Sequence, residues 1–134
     1  MNPTDLVRCF YEHLWNRGEK LRIPELLHED FTFRGSLGQK KRGHDGFAEY
    51  VDFVTDALAE YRCEIQEMVC EGNKVFAKVS FSGVHRKEFL SYPPTFKRVE
   101  WLGAALFKIE GDKISDLWVL GDLDALRKQL SVAT

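Results

Sequence analysis

The spacing of hydrophobic residues changes along the chain from a helical period to a period of two. Near the N-terminus the helical positions carry Leu6, Val7, Phe10 and Leu14. Asn2 before Pro3 is typical of a helix cap with proline in the first turn, so this pattern predicts a helix that ends near residues 16–18. A shorter helical segment is predicted over residues 23–27, and a short strand over 31–34.

A broad apolar stripe predicts a long helix after Gly43. Its apolar positions are Phe47, Tyr50, Val51, Val54, Ala57 and Leu58. The polar segment GSLGQKKRG before it is expected to form a solvated turn. From Tyr61 onward hydrophobic residues alternate, which predicts antiparallel strands over 65–70 and 75–85, joined through EGNK. Strands over 98–109 and 113–120 follow across EGDK, and a helix closes the chain.

This order of helices first and meander last predicts a single α+β domain over residues 1–134. A strongly bent antiparallel sheet around a long helix leaves a concave, mostly apolar interior, where ligands tend to bind. If the last strand keeps its alternation, Trp118, Leu120 and Asp122 share the face that lines this interior. On the neighbouring strand one face carries Trp101, Gly103, Ala105 and Phe107. The two small residues leave room for larger rings, or accommodate helix packing.

Composition excludes several classes of partner. The 134 residues are 44% hydrophobic and carry a formal net charge of -2, without the basic excess that nucleic acid or anionic lipid requires. No run approaches the roughly 20 apolar residues of a membrane span, so a cytoplasmic protein is expected. The 3 cysteines lack close CxxC spacing, which predicts free thiols and no metal site.

Asp122 is the first candidate for chemistry, because it stands between the last strand and the closing helix. Aspartate is among the best helix caps, so a purely structural role is one interpretation. The other is a functional acid in an apolar pocket. The two roles conflict, since a carboxylate that accepts helix N–H bonds is stabilised as the anion. Asp124 could serve the helix dipole instead.

Several segments resemble the SnoaL-like polyketide cyclases, or predicted ester cyclases, within the nuclear transport factor 2-like fold. They are GHDGFAEYV, GNKVFAKVSFSGVH, PPT and GDKISDLWVLGDLDALRKQL. The likeness is most specific near the C-terminus, where the chain has a Gly-Asp turn, Lys-Ile, an acidic residue before Trp118, an aspartate four positions after it and a Gln-Leu close.

The resemblance implies a cone-shaped α+β barrel that works without metal or organic cofactor and is often dimeric through its sheet. It also implies that an aspartate at the position of Asp122 removes a proton from a carbon flanked by carbonyls, and that the enolate attacks a second carbonyl to close a ring. Such a carbon is already acidic, so a carboxylate and a donor for the oxyanion suffice.

His85 is the second catalytic candidate, because a neutral imidazole can donate to the enolate oxygen or exchange a proton with Asp122. Members of the family often have a Thr-His pair here, and this chain has Val84 before the histidine. The alternative is an exposed histidine at a strand end.

Aromatic residues are the candidates for substrate binding. Trp101 and Trp118 are favoured as the floor of a pocket for a small apolar or aromatic molecule. Phe33, Phe53 and Tyr61 are further candidates. Core packing is the alternative for each ring, because aromatic residues at helix and strand periodicity are often core.

The chain departs from the family after the long helix, where ALAEYRCEI replaces a common Pro-Asp pair, and at Phe96, where a glycine usually follows PPT. Three functions therefore stay open: a cyclase, another proton-transfer enzyme of the isomerase, dehydratase or epoxide hydrolase type, and a non-catalytic ligand-binding or dimerisation module. The half-apolar strand LGAALF predicts a sheet face that is covered in a homodimer.

Overall fold

The N-terminal helix changes its hydrogen-bond period half-way along. The computed structural model describes residues 1–131, and in it α1 spans Pro3–Cys9 and continues as a π-helix over Phe10–Asn16. Asn2 caps α1 as predicted, since its Oδ1 accepts the Asp5 N–H at 2.8 Å. At the other end, the Arg17 N–H donates to the Glu12 carbonyl five residues back, which is the π pattern.

Most predicted elements are present with shifted ends. A helical turn at Lys20–Arg22 precedes α2 (Ile23–Leu26), and the remaining elements are β1 (Leu27–Arg34), β2 (Lys40–Arg42), α3 (Gly43–Ala57), β3 (Leu58–Glu71), β4 (Lys74–His85), β5 (Arg98–Glu110), β6 (Lys113–Gly121) and α4 (Leu123–Leu130). The solvated turn predicted before α3 is wrong in part, because Lys40–Arg42 pairs with β1. Three consecutive basic residues give no alternation, so an edge strand of this kind leaves no periodic signal.

One curved, unclosed sheet carries the fold, with the strand order β2-β1-β6-β5-β4-β3. The meander β3 to β6 is antiparallel, as predicted. The pairing of β1 with β6 is parallel, which the prediction of a wholly antiparallel sheet missed. The α+β cone fold of the nuclear transport factor 2-like type is confirmed.

Aromatic rings from the two helices fill the concave side of the sheet. Phe10 packs at 5.4 Å from both Phe47 of α3 and Phe107 of β5, measured between ring centroids. Trp15 meets Phe47 edge-on at 5.7 Å and Tyr50 at 5.9 Å. Such tilted and edge-on pairs stabilise the fold beyond the contribution of the buried ring surface. The interior of the cone is therefore a packed aromatic core.

Of the two central strands, β5 presents its predicted face to the interior and β6 presents the opposite one. On β5, Trp101, Gly103, Ala105 and Phe107 are buried on the inner face, as the alternation predicted. On β6 the prediction is wrong, because Leu117 and Val119 point inward while Trp118 and Leu120 are exposed on the outer face. Val119 lies opposite Ala105, and directly opposed residues of an antiparallel pair share a face.

Gly103 gives the Phe81 ring its place in the interior. A Cβ at position 103 would lie 2.4 Å from Cε2 of Phe81, well inside van der Waals contact. In α3, by contrast, a Cβ at Gly46 would meet the Lys41 Cβ at 3.4 Å, close to ordinary contact. The two glycines thus differ in whether a methyl group fits.

We expect Gly103→Ala to lower the free energy of unfolding by about 1–3 kcal/mol, because the added methyl overpacks the core against Phe81. Gly46→Ala is the matched change, and it should raise stability by up to about 1 kcal/mol, since alanine favours a helix interior over glycine. Urea unfolding of both variants checks the pair. Equal effects of the same sign would contradict this account of Gly103.

Candidate functional site

A small cavity of about 20 Å³ lies inside the cone. Its polar lining consists of Tyr11, Ser36, Tyr50 and Tyr61, and the rest of the wall is apolar, including Phe33 and Phe81. This volume accommodates about one water molecule. The interior in this conformation is thus almost filled, and a larger ligand requires the wall to move.

The loop between β1 and β2 forms one wall of this cavity. A Cβ at Gly35 would lie 2.4 Å from the Tyr50 ring, and a Cβ at Gly121 would lie 2.7 Å from the Ser36 carbonyl and 3.2 Å from Nε1 of Trp101. Glycine at both positions therefore lets the loop settle against Tyr50 and the end of β6. We call residues 35–39 the rim loop.

Asp122 lies at this rim, immediately after Gly121. Its backbone N–H donates to the Leu102 carbonyl at 2.8 Å. Its Oδ1 accepts the Ala125 N–H at 3.1 Å and so caps α4. The residue is exposed. Asp122 is therefore the helix cap that one of the two interpretations predicted. Its carboxylate lies in solvent at the rim and does not line the closed cavity.

His85 lies at the end of β4 and is fully buried, unlike the exposed histidine weighed as its alternative. Its Nδ1 is 3.1 Å from both the backbone N and the Oγ1 of Thr95. Because Nδ1 accepts the Thr95 N–H, the neutral imidazole carries its proton on Nε2. Burial lowers the pKa of His85, and the backbone carbonyls of Tyr92 and Lys87 oppose this shift. The imidazole thereby holds the segment between β4 and β5.

The structure does not bring Asp122 and His85 together. The Asp122 backbone bonds to Leu102 of β5, whereas the His85 backbone N–H donates to Lys97 at 2.9 Å. Lys97 immediately precedes β5 and is five positions from Leu102, which corresponds to about 16 Å of extended chain. A direct proton exchange between the two side chains is therefore not supported by this conformation.

The aromatic candidates fall into three places. Phe33 and Tyr61 line the cavity, and Trp101 packs between Tyr61 and Phe81, with ring centroids 6.2 and 5.4 Å away. Trp118 lies outside the cone, where the Arg34 guanidinium stacks on its ring at 5.7 Å. Phe53 is 42% exposed on α3 and packs on Phe89. Trp118 and Phe53 therefore do not line the interior.

The chain from residue 1 to 131 contains no group of three or more His, Cys, Asp or Glu side chains arranged to hold a metal ion. Over the same residues, no helix has the length and apolar character needed to cross a bilayer.

Comparison with known proteins identifies the family. The family model of the SnoaL-like polyketide cyclases matches residues 5–130. The chain belongs to the SnoaL-like polyketide cyclase family. This confirms the resemblance found in the sequence. No curated protein matches the chain.

Solved structures share the fold of this SnoaL-like chain. TsrD from Streptomyces laurentii superposes with a TM-score of 0.84 at 22% identity, over 97% of this chain and 95% of that one. IdmH from Streptomyces antibioticus gives 0.86 at 22% identity, over 98% and 100%. A SnoaL-like polyketide cyclase from Agrobacterium tumefaciens gives 0.83 at 17% identity, over 98% and 99%. At these identities the likeness shows the fold.

Sequence reasoning identified Tyr61 but missed the other two tyrosines that line this SnoaL-like interior, Tyr11 and Tyr50. Tyr11 and Tyr50 occupy buried helical positions, where the apolar stripe hides their hydroxyl groups. Burial raises the pKa of Tyr11 well above its ordinary value. It raises the pKa of Tyr50 to about 12, and the nearby Ser36 side chain and Leu37 backbone offset part of that shift. Neither group forms a hydrogen bond with the Tyr50 hydroxyl. Tyrosine instead of phenylalanine on a core stripe was the available signal.

Protonation of His85 should destabilise the fold. Because burial lowers its pKa below the ordinary 6.5, the unfolded chain binds the proton at higher pH than the folded chain does. The stability contributed by neutral His85 is complete above about pH 6.5 and is lost as the pH falls below that value. We expect an NMR titration to give a His85 pKa below 6.5. A His85 pKa above that reference would contradict the burial of a neutral imidazole.

Proposed function

We propose that this SnoaL-like protein closes a ring in a polyketide-like small molecule by an intramolecular aldol-type reaction through an enolate. The observation that carries the proposal is the membership of the family, over residues 5–130, together with an aspartate at the rim of an interior whose polar lining is otherwise hydroxyl groups. The reaction needs no external oxidant or reductant. One C–H proton leaves, a C–C bond forms, and a proton returns to the new alkoxide.

Asp122 is the proposed base. Its Oδ1 accepts a helix N–H, and in the described part of the chain its Oδ2 accepts no hydrogen bond, so one oxygen faces outward for a substrate proton. An exposed carboxylate is suited to removing a proton from a carbon that is already acidic because it lies between two carbonyls, and a β-dicarbonyl compound is the proposed substrate class.

The substrate must displace part of the wall before it enters, because the cavity of about 20 Å³ holds no more than a water. The rim loop is the proposed entrance. It contacts Gly121 and Tyr50, and Asp122 is the residue after Gly121. When a substrate enters there, its reactive carbon comes next to the Asp122 carboxylate. Its apolar body then packs against the interior aromatic rings in place of their present contacts with one another. His85 is proposed to act from a distance, by fixing the β4–β5 segment.

Asp122→Asn separates the two roles of the residue, since asparagine caps a helix about as well as aspartate but cannot accept the proton. We expect cyclisation of a linear poly-β-carbonyl ester to fall by about 100-fold or more, with an unchanged unfolding midpoint. The measurement is product formation by liquid chromatography and mass spectrometry. An aldol product keeps the substrate mass, whereas dehydratase and epoxide hydrolase chemistry would lose or add water.

Asp124→Asn is the control. Asp124 is exposed in the same helical turn and pairs with Lys128 at 3.0 Å, so its loss changes the local charge equally. Activity should stay near the wild-type level. If Asp124→Asn and Asp122→Asn reduce turnover to the same extent, the effect is one of helix electrostatics and Asp122 is not the base.

A homodimer through the outer face of the sheet is the proposed assembly. An outer apolar patch consists of Phe76, Leu102, Leu106, Trp118 and Leu120. Leu106 lies opposite both Phe76 and Trp118 on the neighbouring strands, so the patch is continuous. Four of these five side chains are 42–51% exposed. Patches of this kind mark interaction surfaces, and a second copy presents the same apolar face.

Leu102→Glu should shift the protein from dimer to monomer, because a buried unpaired charge within the interface is costly. Leu21→Glu is the matched change at a leucine that is 96% exposed on a different surface, and it should leave the mass unchanged. Size-exclusion chromatography with light scattering measures both. A wild-type monomer at micromolar concentration would refute the dimer.

A further inference from the structure

Four buried side-chain polar atoms have no hydrogen-bond partner within residues 1–131: the Tyr11 hydroxyl, the Tyr50 hydroxyl, Nε1 of Trp101 and, at the end of β4, Nε2 of His85. The first three belong to side chains that are only 3%, 2% and 2% exposed, so bulk water does not reach them. Both tyrosines line the small cavity. Nε1 of Trp101 is not part of that lining. It lies beside Gly121, next to the Ser36 carbonyl, and Ser36 does line the cavity.

An unpaired polar group in such a place is costly. A buried donor without a partner destabilises a protein, and phenylalanine at positions 11 and 50 would remove that cost. Asn16, by contrast, bonds both backbone groups of Cys63 at 2.7 and 2.9 Å. Apart from His85 Nε2 at the end of β4, the unsatisfied groups lie on the cavity wall or beside it, where they can meet an oxygen atom that enters from outside.

The three groups are all donors. Burial keeps both phenols protonated, and an indole N–H only donates. Among residues 1–131 no carboxylate is buried, and the buried polar residues are Ser36, Ser80 and His85. An apolar site lined by donors favours an acceptor, above all one that carries negative charge, since such hydrogen bonds are strongest where water is excluded.

We infer that Tyr11, Tyr50 and Trp101 form a donor site for the oxygen atoms of a small, planar, unsaturated carbonyl compound in its enol or enolate form. In the closed state the cavity has room for one water at the two hydroxyl groups. The ligand oxygen replaces that water, and the apolar body of the ligand packs among Phe33, Tyr61 and Phe81. This inference rests on the proposed use of the interior as the substrate site, but it requires no turnover.

The test uses 4-nitrophenolate as a coloured, planar stand-in for an enolate, and toluene as the apolar body without the oxygen. Binding to the wild-type chain is measured by absorbance for the phenolate and by NMR shifts for toluene. Tyr11→Phe and Tyr50→Phe should each weaken phenolate binding by about tenfold or more, the range for a hydrogen bond to a charged group. Toluene binding should change less than about twofold, because the apolar contacts are kept.

Controls separate a ligand site from a structural role. Tyr92→Phe alters a tyrosine outside the cavity lining and should bind phenolate like the wild type. Tyr11→Phe and Tyr50→Phe should keep or raise the thermal midpoint, since each removes an unpartnered hydroxyl. Absence of phenolate binding to the wild type, equal losses for phenolate and toluene, or a lowered midpoint in both variants would each overturn the donor site.

Asp122→Asn keeps this inference apart from the proposed catalysis. It should bind phenolate with wild-type affinity, because the donor site lies inside the cone and Asp122 is exposed at the rim. Intact binding with an active Asp122→Asn variant would refute the base and leave the donor site standing. If the wild-type protein shows no cyclase activity but the tyrosine variants lose phenolate binding, the proposed catalysis is refuted and the donor site stands.

Discussion

Everything in this fold depends on how aromatic rings fill the concave side of one curved sheet. Phe10 of the π-helix touches α3 and β5 at the same centroid distance of 5.4 Å, and Gly103 admits the Phe81 ring beneath them. Because close-packed interiors transmit volume changes, the cavity is small as a direct result of this packing. A ligand therefore competes with side chains for space, and its affinity includes the cost of moving them.

The same packing separates the polar groups into two environments. Tyr11, Tyr50 and Trp101 are withdrawn from water, whereas Asp122 remains at the rim with a helix amide as its partner. Proton removal and oxyanion stabilisation make opposite demands on a site. A base works from a position that a substrate carbon can reach, and a donor is strongest where water is excluded.

Much of the fold was predictable because its signals are local. The cap at Asn2, the stripe of α3 and the alternation of β4 and β5 follow from residue spacing alone. Trp118 was misplaced because its interior position was inferred by parity from Asp122, which lies beyond the strand and need not share its alternation. The site was harder to predict. The Tyr50 hydroxyl is cut off from water only when the β1–β2 turn brings Gly35 and Ser36 against it. No residue spacing in the sequence predicts that contact.

The link between Asn16 and Cys63 has one more consequence. β3 is an edge strand of the sheet, and the unpaired backbone of an edge strand can pair with a strand of another chain and so start aggregation. At Cys63 the backbone N–H and carbonyl are both occupied by the Asn16 carboxamide, and the pairing of β3 with β4 is irregular on either side of it. At the opposite border β2 is only 3 residues long and wholly basic. Both borders of the sheet are thus poor seeds for fibre growth, which lets the protein leave its broad outer face apolar without inviting edge-to-edge aggregation.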